Sequence, residues 1–313
     1  MKNLMTENTD IKTFNDSDEI DLRRLFEIFW EGKYIIVGFT VIFSITAVLY
    51  SLSLPNIYQS SALLSPVSKS NSNQSLQGVG GLASLAGIDI NQSAGGTEAK
   101  ALKKLNTLSF FSESIYPFIY LPDLMAIESW NPSNDTIFYK NNLYNHKTKE
   151  WVRKAQYPKS QVPSPQESFK IFKKHFNISS DDRTGFVVIS VKHQSPYLAK
   201  EWTKLIVNQI NVFFRDKDKR EAQAAMNFLN SQIAQTTHTE IKQVIAALLQ
   251  QKMQQMTLIE ANEFYVFSYL DPPKIMEEKI EPIRSSISIL GAVIGLFLGA
   301  IFVIVRQYFR KTN

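Results

Sequence analysis

The chain contains no cysteine among its 313 residues. Disulfides and thiolate metal sites are therefore excluded, and an oxidising compartment poses no hazard to it. Histidine is nearly as scarce. His146, His175, His193 and His238 are scattered, and no two stand at the i, i+4 spacing that sets metal ligands on one helix face. Serines are plentiful, but no Gly-x-Ser-x-Gly elbow occurs. The pairs Asp181-Asp182 and Glu277-Glu278 read as turn and linker residues rather than as a glycosidase pair. Gly78, Gly80 and Gly81 lack the Gly-Lys-Ser/Thr of a phosphate loop, and read as a flexible loop ahead of a short apolar helix at Leu82 to Ile88. No catalytic residue, cofactor site or metal site is predicted, and the chain is not expected to be an enzyme.

Charge is missing from two stretches, Tyr34 to Leu54 and Ser285 to Val305. As helices each extends about 31 Å, against a hydrocarbon core of about 30 Å, so both are predicted to span a membrane. The first reads as an uncleaved signal anchor: it outruns a cleavable apolar region of about 7–15 residues, and Ser51-Leu52-Ser53-Leu54-Pro55 is a poor cleavage site. Arg23, Arg24 and Lys33 precede the first span, Arg306, Arg310 and Lys311 follow the second, and no Lys or Arg follows the first span before Lys69. The positive-inside rule then puts both termini in the cytoplasm and exports the middle, whatever the acidic residues near the first span. An exported domain meets no nucleic acid, so the net charge of +5 is not read as a nucleic-acid footprint.

Proline and glycine are missing from Tyr197 to Phe264. Ser195 is placed to cap a helix whose first position is Pro196, where the absent N–H costs nothing. The helix predicted from there runs about 65 residues and reaches about 100 Å. Its apolar stripe includes Trp202, Ile206, Ile210, Phe213, Met226, Leu229, Ile245 and Ile259, mostly three or four apart, in the manner of a coiled coil. Thr236, Thr237 and His238 interrupt it, where a kink or short break is expected. A stripe this long outruns the rest of the domain, which predicts burial against its own preceding segment and against neighbouring copies of the chain, and hence oligomerisation.

Residues 1–20 are polar, and Ile20 to Trp30 forms an amphipathic lead-in to the membrane. Strands are expected at Ile57 to Ser65, Phe186 to Val191 and Tyr265 to Leu270, with the first and last both pairing to the middle one. A helix is expected over Thr97 to Ile115, and residues 123–168 read as irregular. The basic, aromatic stretch containing Lys147, Lys149, Trp151, Arg153, Lys154, Tyr157 and Lys159 could meet a glycan or phosphate-bearing lipid, but reads better as a solvated face. In the second span Gly291, Gly295 and Gly299 make two overlapping GxxxG steps, the pattern of close helix packing against the first span or another protomer.

The expected fold class is α+β: two transmembrane helices flanking a periplasmic domain with a membrane-proximal α/β base and a long projecting helix. The expected division is a cytoplasmic segment at 1–33, a span at 34–54, the periplasmic base at 55–195, the long helix at 196–264, a return strand and linker at 265–284, a span at 285–305 and a cytoplasmic tail at 306–313.

In this layout the chain resembles the Wzz-type chain-length determinants, the polysaccharide co-polymerases of bacterial inner membranes. The residues that carry the likeness are Pro55-Asn56-Ile57-Tyr58 after the first span, Gly80-Gly81-Leu82-Ala83-Ser84-Leu85-Ala86-Gly87, and Phe228-Leu229-Asn230-Ser231-Gln232-Ile233. Glu263-Phe264-Tyr265-Val266 through Pro272, Pro282 and the glycine-spaced span complete it. The proline-rich approach to the second span is thin here, with Lys274 to Glu281 between Pro273 and Pro282, and only Arg306 to Asn313 follow that span, so no kinase domain is expected. The resemblance implies a homo-oligomeric ring, with the stripe around Trp202, Phe213 and Leu229 as its inter-protomer contact, and a non-catalytic scaffold that works with the Wzy polymerase on a lipid-linked glycan. Such a scaffold sets the modal length of O-antigen or a related polysaccharide in lipopolysaccharide biosynthesis. Two other readings stay open: an inner-membrane component of a capsule or exopolysaccharide export complex, and a two-span sensor, which would need a cytoplasmic output domain.

Overall fold

A computed structural model describes residues 22–67, 96–181 and 183–312. The polar N-terminal residues, the Gly80–Gly87 motif and the helix expected at Leu82 to Ile88 lie outside the described residues. The chain forms two compact units, residues 1–54 with 282–313, and residues 55–281.

The first unit is helical: α1 (Leu22–Glu31), α2 (Lys33–Ser53) and α8 (Arg284–Thr312). Helices α2 and α8 are both long and apolar enough to cross a membrane. They run antiparallel, since Gly291 lies against Ala47, Gly295 against Phe43 and Phe39, and Gly299 against Ile36. Ile42, Leu49, Leu290 and Phe297 remain more than half exposed on the outer faces. Such faces are costly in water and suit hydrocarbon. Gly32 joins α1 to α2 because a Cβ there would collide with Val303.

The second unit is built on a four-stranded antiparallel sheet in the order β6-β7-β1-β8, from β1 (Tyr58–Pro66), β6 (Phe176–Ser180), β7 (Val187–His193) and β8 (Phe267–Asp271). The pairing expected of the sequence is corrected here. Strand β8 pairs with β1, not with β7, whose other edge is taken by β6. The reason is local: the turn at Asp181 to Gly185, with Gly185 at φ 70°, folds β6 back on β7 as a hairpin and fills that edge.

Between β1 and β6 the chain forms α3 (Thr97–Leu105), a helical run from Leu108 to Phe118, α4 (Leu121–Met125), the hairpins β2 (Ile127–Asn131) with β3 (Thr136–Tyr139) and β4 (Tyr144–Asn145) with β5 (Glu150–Trp151), and α5 (Pro165–His175). The region read as irregular is thus largely ordered. Its signals were short: Asp135 and Lys149 turn the two hairpins at φ 49° and 57°. Ser164 caps α5 ahead of Pro165, accepting from the Glu167 N–H, as Ser195 caps the long helix.

The long helical segment is two helices, α6 (Pro196–Gln235) and α7 (Thr239–Ala261), not one through residue 264. They fold back on each other: Lys219 pairs with Glu260, and Arg215 Nη2 donates to the Asn262 carbonyl at 2.6 Å. The turn falls where the apolar stripe is interrupted. Thr236 and His238 both take extended backbone, and Thr236 Oγ1 donates back to the Gln232 carbonyl at 2.9 Å, using up an acceptor at the helix end. Helix α6 reaches about 60 Å rather than 100 Å. Its first half buries Ile206, Val207, Ile210 and Phe214 against Ala62, Leu64, Val187, Ile189, Val191 and Phe267 of the sheet.

Candidate functional site

The antiparallel seam of α2 and α8 is a close helix approach, and glycine makes it possible. A Cβ on Gly295 would stand 2.9 Å from the Phe39 carbonyl oxygen and from Phe43 Cβ, and one on Gly299 2.9 Å from Ile36 Cα. A Cβ on Gly291 would overlap Ala47. All three glycines singled out in the sequence therefore face α2 along one seam, where no side chain fits without parting the helices. Gly38 differs, with nothing within 4 Å of its Cβ position. Phe39 and Phe302 extend the contact, their ring centroids 5.3 Å apart.

The three residues expected at a contact between protomers separate. Trp202 is only 4% exposed, and its ring meets that of His193 edge-on at 5.0 Å. It is a core residue and presents no surface to a second chain, because the first half of α6 lies on the sheet. Phe213 is half-buried beside Phe110 and Phe214, with the Lys104 ammonium 4.6 Å from its ring centre. Leu229 is half-buried within the hairpin of α6 and α7. What that hairpin leaves uncovered is a different set, Phe228, Ile241, Val244, Met253 and Leu258.

The hairpin is tied to the sheet by a residue that sequence reasoning passed over. Asn211 is buried, and its Oδ1 accepts the N–H groups of Tyr265, Val266 and Phe267 at 3.1, 2.7 and 3.0 Å. Its Nδ2 donates to the carbonyls of Val207 and Phe267. The signal was an asparagine set among Val207, Ile210 and Phe214, which buries a polar amide that must find partners. Nearby, Tyr265 donates to Asp218.

A second polar cluster lies under α4. Tyr139 donates to Asp123 Oδ1 at 2.6 Å, and Tyr120 shares a hydrogen bond with Tyr144. Burial pushes the Asp123 carboxyl up, and burial with the Tyr144 contact pushes the Tyr120 phenol up to about 12. The His193 imidazole is pushed down to about 4, chiefly by burial. Its Nδ1 accepts the Ser195 N–H at 3.0 Å, so Nε2 carries the proton and donates to the Asp123 carbonyl at 3.1 Å. The cluster is fully engaged in holding α4, β3 and the start of α6, and it offers no activated nucleophile. Among the described residues no group of three or more His, Cys, Asp or Glu is placed to hold a metal ion.

Arg153, the centre of the basic, aromatic stretch, is also structural. Its Nη1 and Nη2 grip both Glu167 oxygens at 2.7 and 2.8 Å, while Nε and Nη2 donate to the carbonyls of Gln161 and Ser160 at 2.7 Å. The guanidinium beside it holds the Glu167 carboxyl below the usual range. The fork pins the loop before α5 and leaves Arg153 little to offer an anionic ligand.

Residues 18–104 match the family model of the Wzz chain length determinant protein. No curated protein matches the chain. Among solved structures, a full-length bacterial polysaccharide co-polymerase is similar with a TM-score of 0.38 at 14% identity, covering 95% of this chain and 99% of that one. The resemblance to the Wzz-type chain length determinants is thereby shown over the segment that holds the first apolar helix, β1 and most of α3.

Proposed function

We propose that this protein is a non-catalytic regulator of polysaccharide chain length, and that it sets the modal length of O-antigen or a related lipid-linked polysaccharide together with a Wzy-type polymerase. The family match over residues 18–104 carries the reading. The protein would sit in the bacterial inner membrane with α2 and α8 as its two spans. Both termini would be cytoplasmic and residues 55–281 periplasmic, a reading supported by the Lys and Arg at the outer ends of the spans. Protomers would assemble as a homo-oligomeric ring, with the exposed apolar side chains of the helical hairpin meeting a neighbour and the glycine seam holding each protomer's spans together. Such an assembly alters how long polymerase and growing glycan stay together without making or breaking a bond.

The test is the size distribution of surface polysaccharide in a strain lacking the gene. Loss of a modal band with polymer still at the surface supports the reading. Polymer retained inside the cell replaces it with an export component.

A further inference from the structure

Two exposed segments of the second unit are fixed at both ends. The first is the loop between β5 and α5. Arg153 closes it by donating to the Ser160 and Gln161 carbonyls, and the Lys159 N–H donates to the Gln156 carbonyl at 2.9 Å across its tip. That tip carries Tyr157, 97% exposed, with Lys154 and Lys159 exposed on either side and Val152 and Val162 exposed at the two ends of the loop. An exposed tyrosine is ordinary by itself. One held on a pinned loop is already ordered, so a partner binds it at a smaller cost in entropy. The loop is also cationic. Lys147 and Lys149 lie in the turn before β5, Lys159 reaches Glu167 only at 3.9 Å, and Lys147, Lys149 and Lys154 make no ion pair among the described residues.

The second segment is the strap that follows β8. Ser60 Oγ donates to the Lys274 carbonyl at 2.7 Å, and further along the Ile57 N–H donates to the Glu281 carbonyl and the Ile280 N–H to the Ile57 carbonyl, both at 2.9 Å. Between these ties the chain exposes Ile275 and Met276 beside Glu277 and Glu278. The acids around them are taken, Asp271 by Lys274 and Glu281 by Lys192, whereas Glu277 and Glu278 have no cation partner among the described residues. Two apolar side chains beside two unpaired acids are the chemical complement of an aromatic ring beside two lysines.

We infer that the Tyr157 loop of one copy docks on the strap of a second copy, with Tyr157 packed on Ile275 and Met276 and with Lys154 and Lys159 facing Glu277 and Glu278. Tyrosine is a favoured interface anchor, and a methionine thioether packs well against an aromatic ring. Opposite charges select which surface meets which, and like charges keep loop from loop and strap from strap. Because the two patches differ, the contact is heterologous and repeats from copy to copy, closing into a ring when the rotation allows. The inference deepens the proposed function, on whose ring it rests, by naming a surface through which protomers meet in addition to the helical hairpin.

Full-length protein in detergent micelles, reassembled after dilution from an equal mixture of unlabelled and isotope-labelled copies, would be treated with a carbodiimide. Zero-length cross-links from Lys154 or Lys159 to Glu277 or Glu278 are expected between labelled and unlabelled copies. Mass photometry over a dilution series gives the concentration at which the assembly half dissociates. Lys154→Glu with Lys159→Glu should raise that concentration about tenfold through like-charge repulsion, and adding Glu277→Lys and Glu278→Lys to the same chain should bring it back. Tyr157→Ala should raise it about thirtyfold, as loss of an interface anchor does. These side chains are exposed, so thermal melting of the protomer should not move. Cross-links confined to single copies, an unchanged midpoint in the loop variants, or failure of the charge exchange to restore assembly would each overturn the inference. Assembly retained by the loop variants with loss of binding to an acidic polysaccharide, polygalacturonate, would give the loop to glycan and overturn it too. The functional reading fails separately, if deleting the gene leaves polysaccharide length unchanged.

Discussion

The side-chain amide of Asn211 brackets the peptide of Phe267, donating to its carbonyl and accepting from its N–H, both at 3.0 Å. Through this contact the helical hairpin, after a long excursion, returns β8 to the edge of β1, where Pro66 pairs with Phe267, Ser65 with Ser268 and Leu64 with Tyr269, before the register shifts at Leu63. Asn211→Leu would strand three backbone N–H groups and a carbonyl in the core. At about 1–3 kcal/mol for each unsatisfied group, partly relieved by relaxation, a loss of about 3–5 kcal/mol is expected in chemical denaturation. A loss below about 1 kcal/mol would show that the clamp is dispensable.

The same logic shows what was legible in the sequence. Apolar runs at 34–54 and 285–305 and the strands near 57–65, 186–191 and 265–270 announce themselves, because long apolar runs and β-branched clusters need no partner to be recognised. Strand β6 did not, since Phe176-Asn177-Ile178-Ser179-Ser180 is short and polar, and only pairing makes it a strand. The same holds for the pairing of β8 with β1. The fold-back of α6 on α7 was visible only as the interruption at Thr236 to His238, which a kink in one helix would equally explain. Trp202 misled for a related reason: a helical stripe tells which side is apolar, but not whether sheet or a second chain covers it. The glycine seam was legible because no residue but glycine permits such close approach.

His193 predicts a pH dependence. Its folded pKa of about 4 lies below the ordinary 6.5, so between those values the unfolded chain holds a proton that the folded chain lacks. Stability is therefore full above about pH 6.5 and falls as pH drops toward 4. Protonating Nδ1 would also turn an N–H toward the Ser195 N–H. His175, likewise pushed down by burial, adds to this slope, while the raised Asp123 opposes it at the acid end. Thermal melts between pH 7 and pH 5 should show the decline, and His193→Asn, whose Oδ1 can accept from Ser195, should flatten it. An unchanged slope in that variant would assign the effect elsewhere.

The seam predicts a contrast between two glycines of the α2–α8 pair. Gly295→Leu drives a side chain into the Phe39 carbonyl and Phe43, whereas Gly38→Ala places its methyl in open space. Melting of the nanodisc-embedded protein should drop for Gly295→Leu by the equivalent of about 1–3 kcal/mol, as in other overpacked sites, and stay near wild type for Gly38→Ala. Equal behaviour of the two would mean that the helices do not pack through this face.

In the proposed ring, the exposed apolar residues of the hairpin would hold protomers together. Phe228 is 62% exposed, and Phe228→Glu should reduce the mass of the solubilised oligomer in native mass spectrometry without lowering the stability of the protomer. Trp202→Ala should do the opposite, costing about 3–5 kcal/mol of protomer stability through the cavity it leaves. A protein that is monomeric at every concentration before any substitution would remove the ring from the account.

The central claim is control of polymer length, and the most direct test titrates this chain in cells deleted for its gene, with the polymerase unchanged. Surface polysaccharide is resolved by size on gels and its total measured. The account predicts an unregulated ladder without the protein and a modal band that returns with expression while total polymer stays constant. A size distribution indifferent to the protein, or total polymer rising and falling with it at unchanged length, would contradict the account.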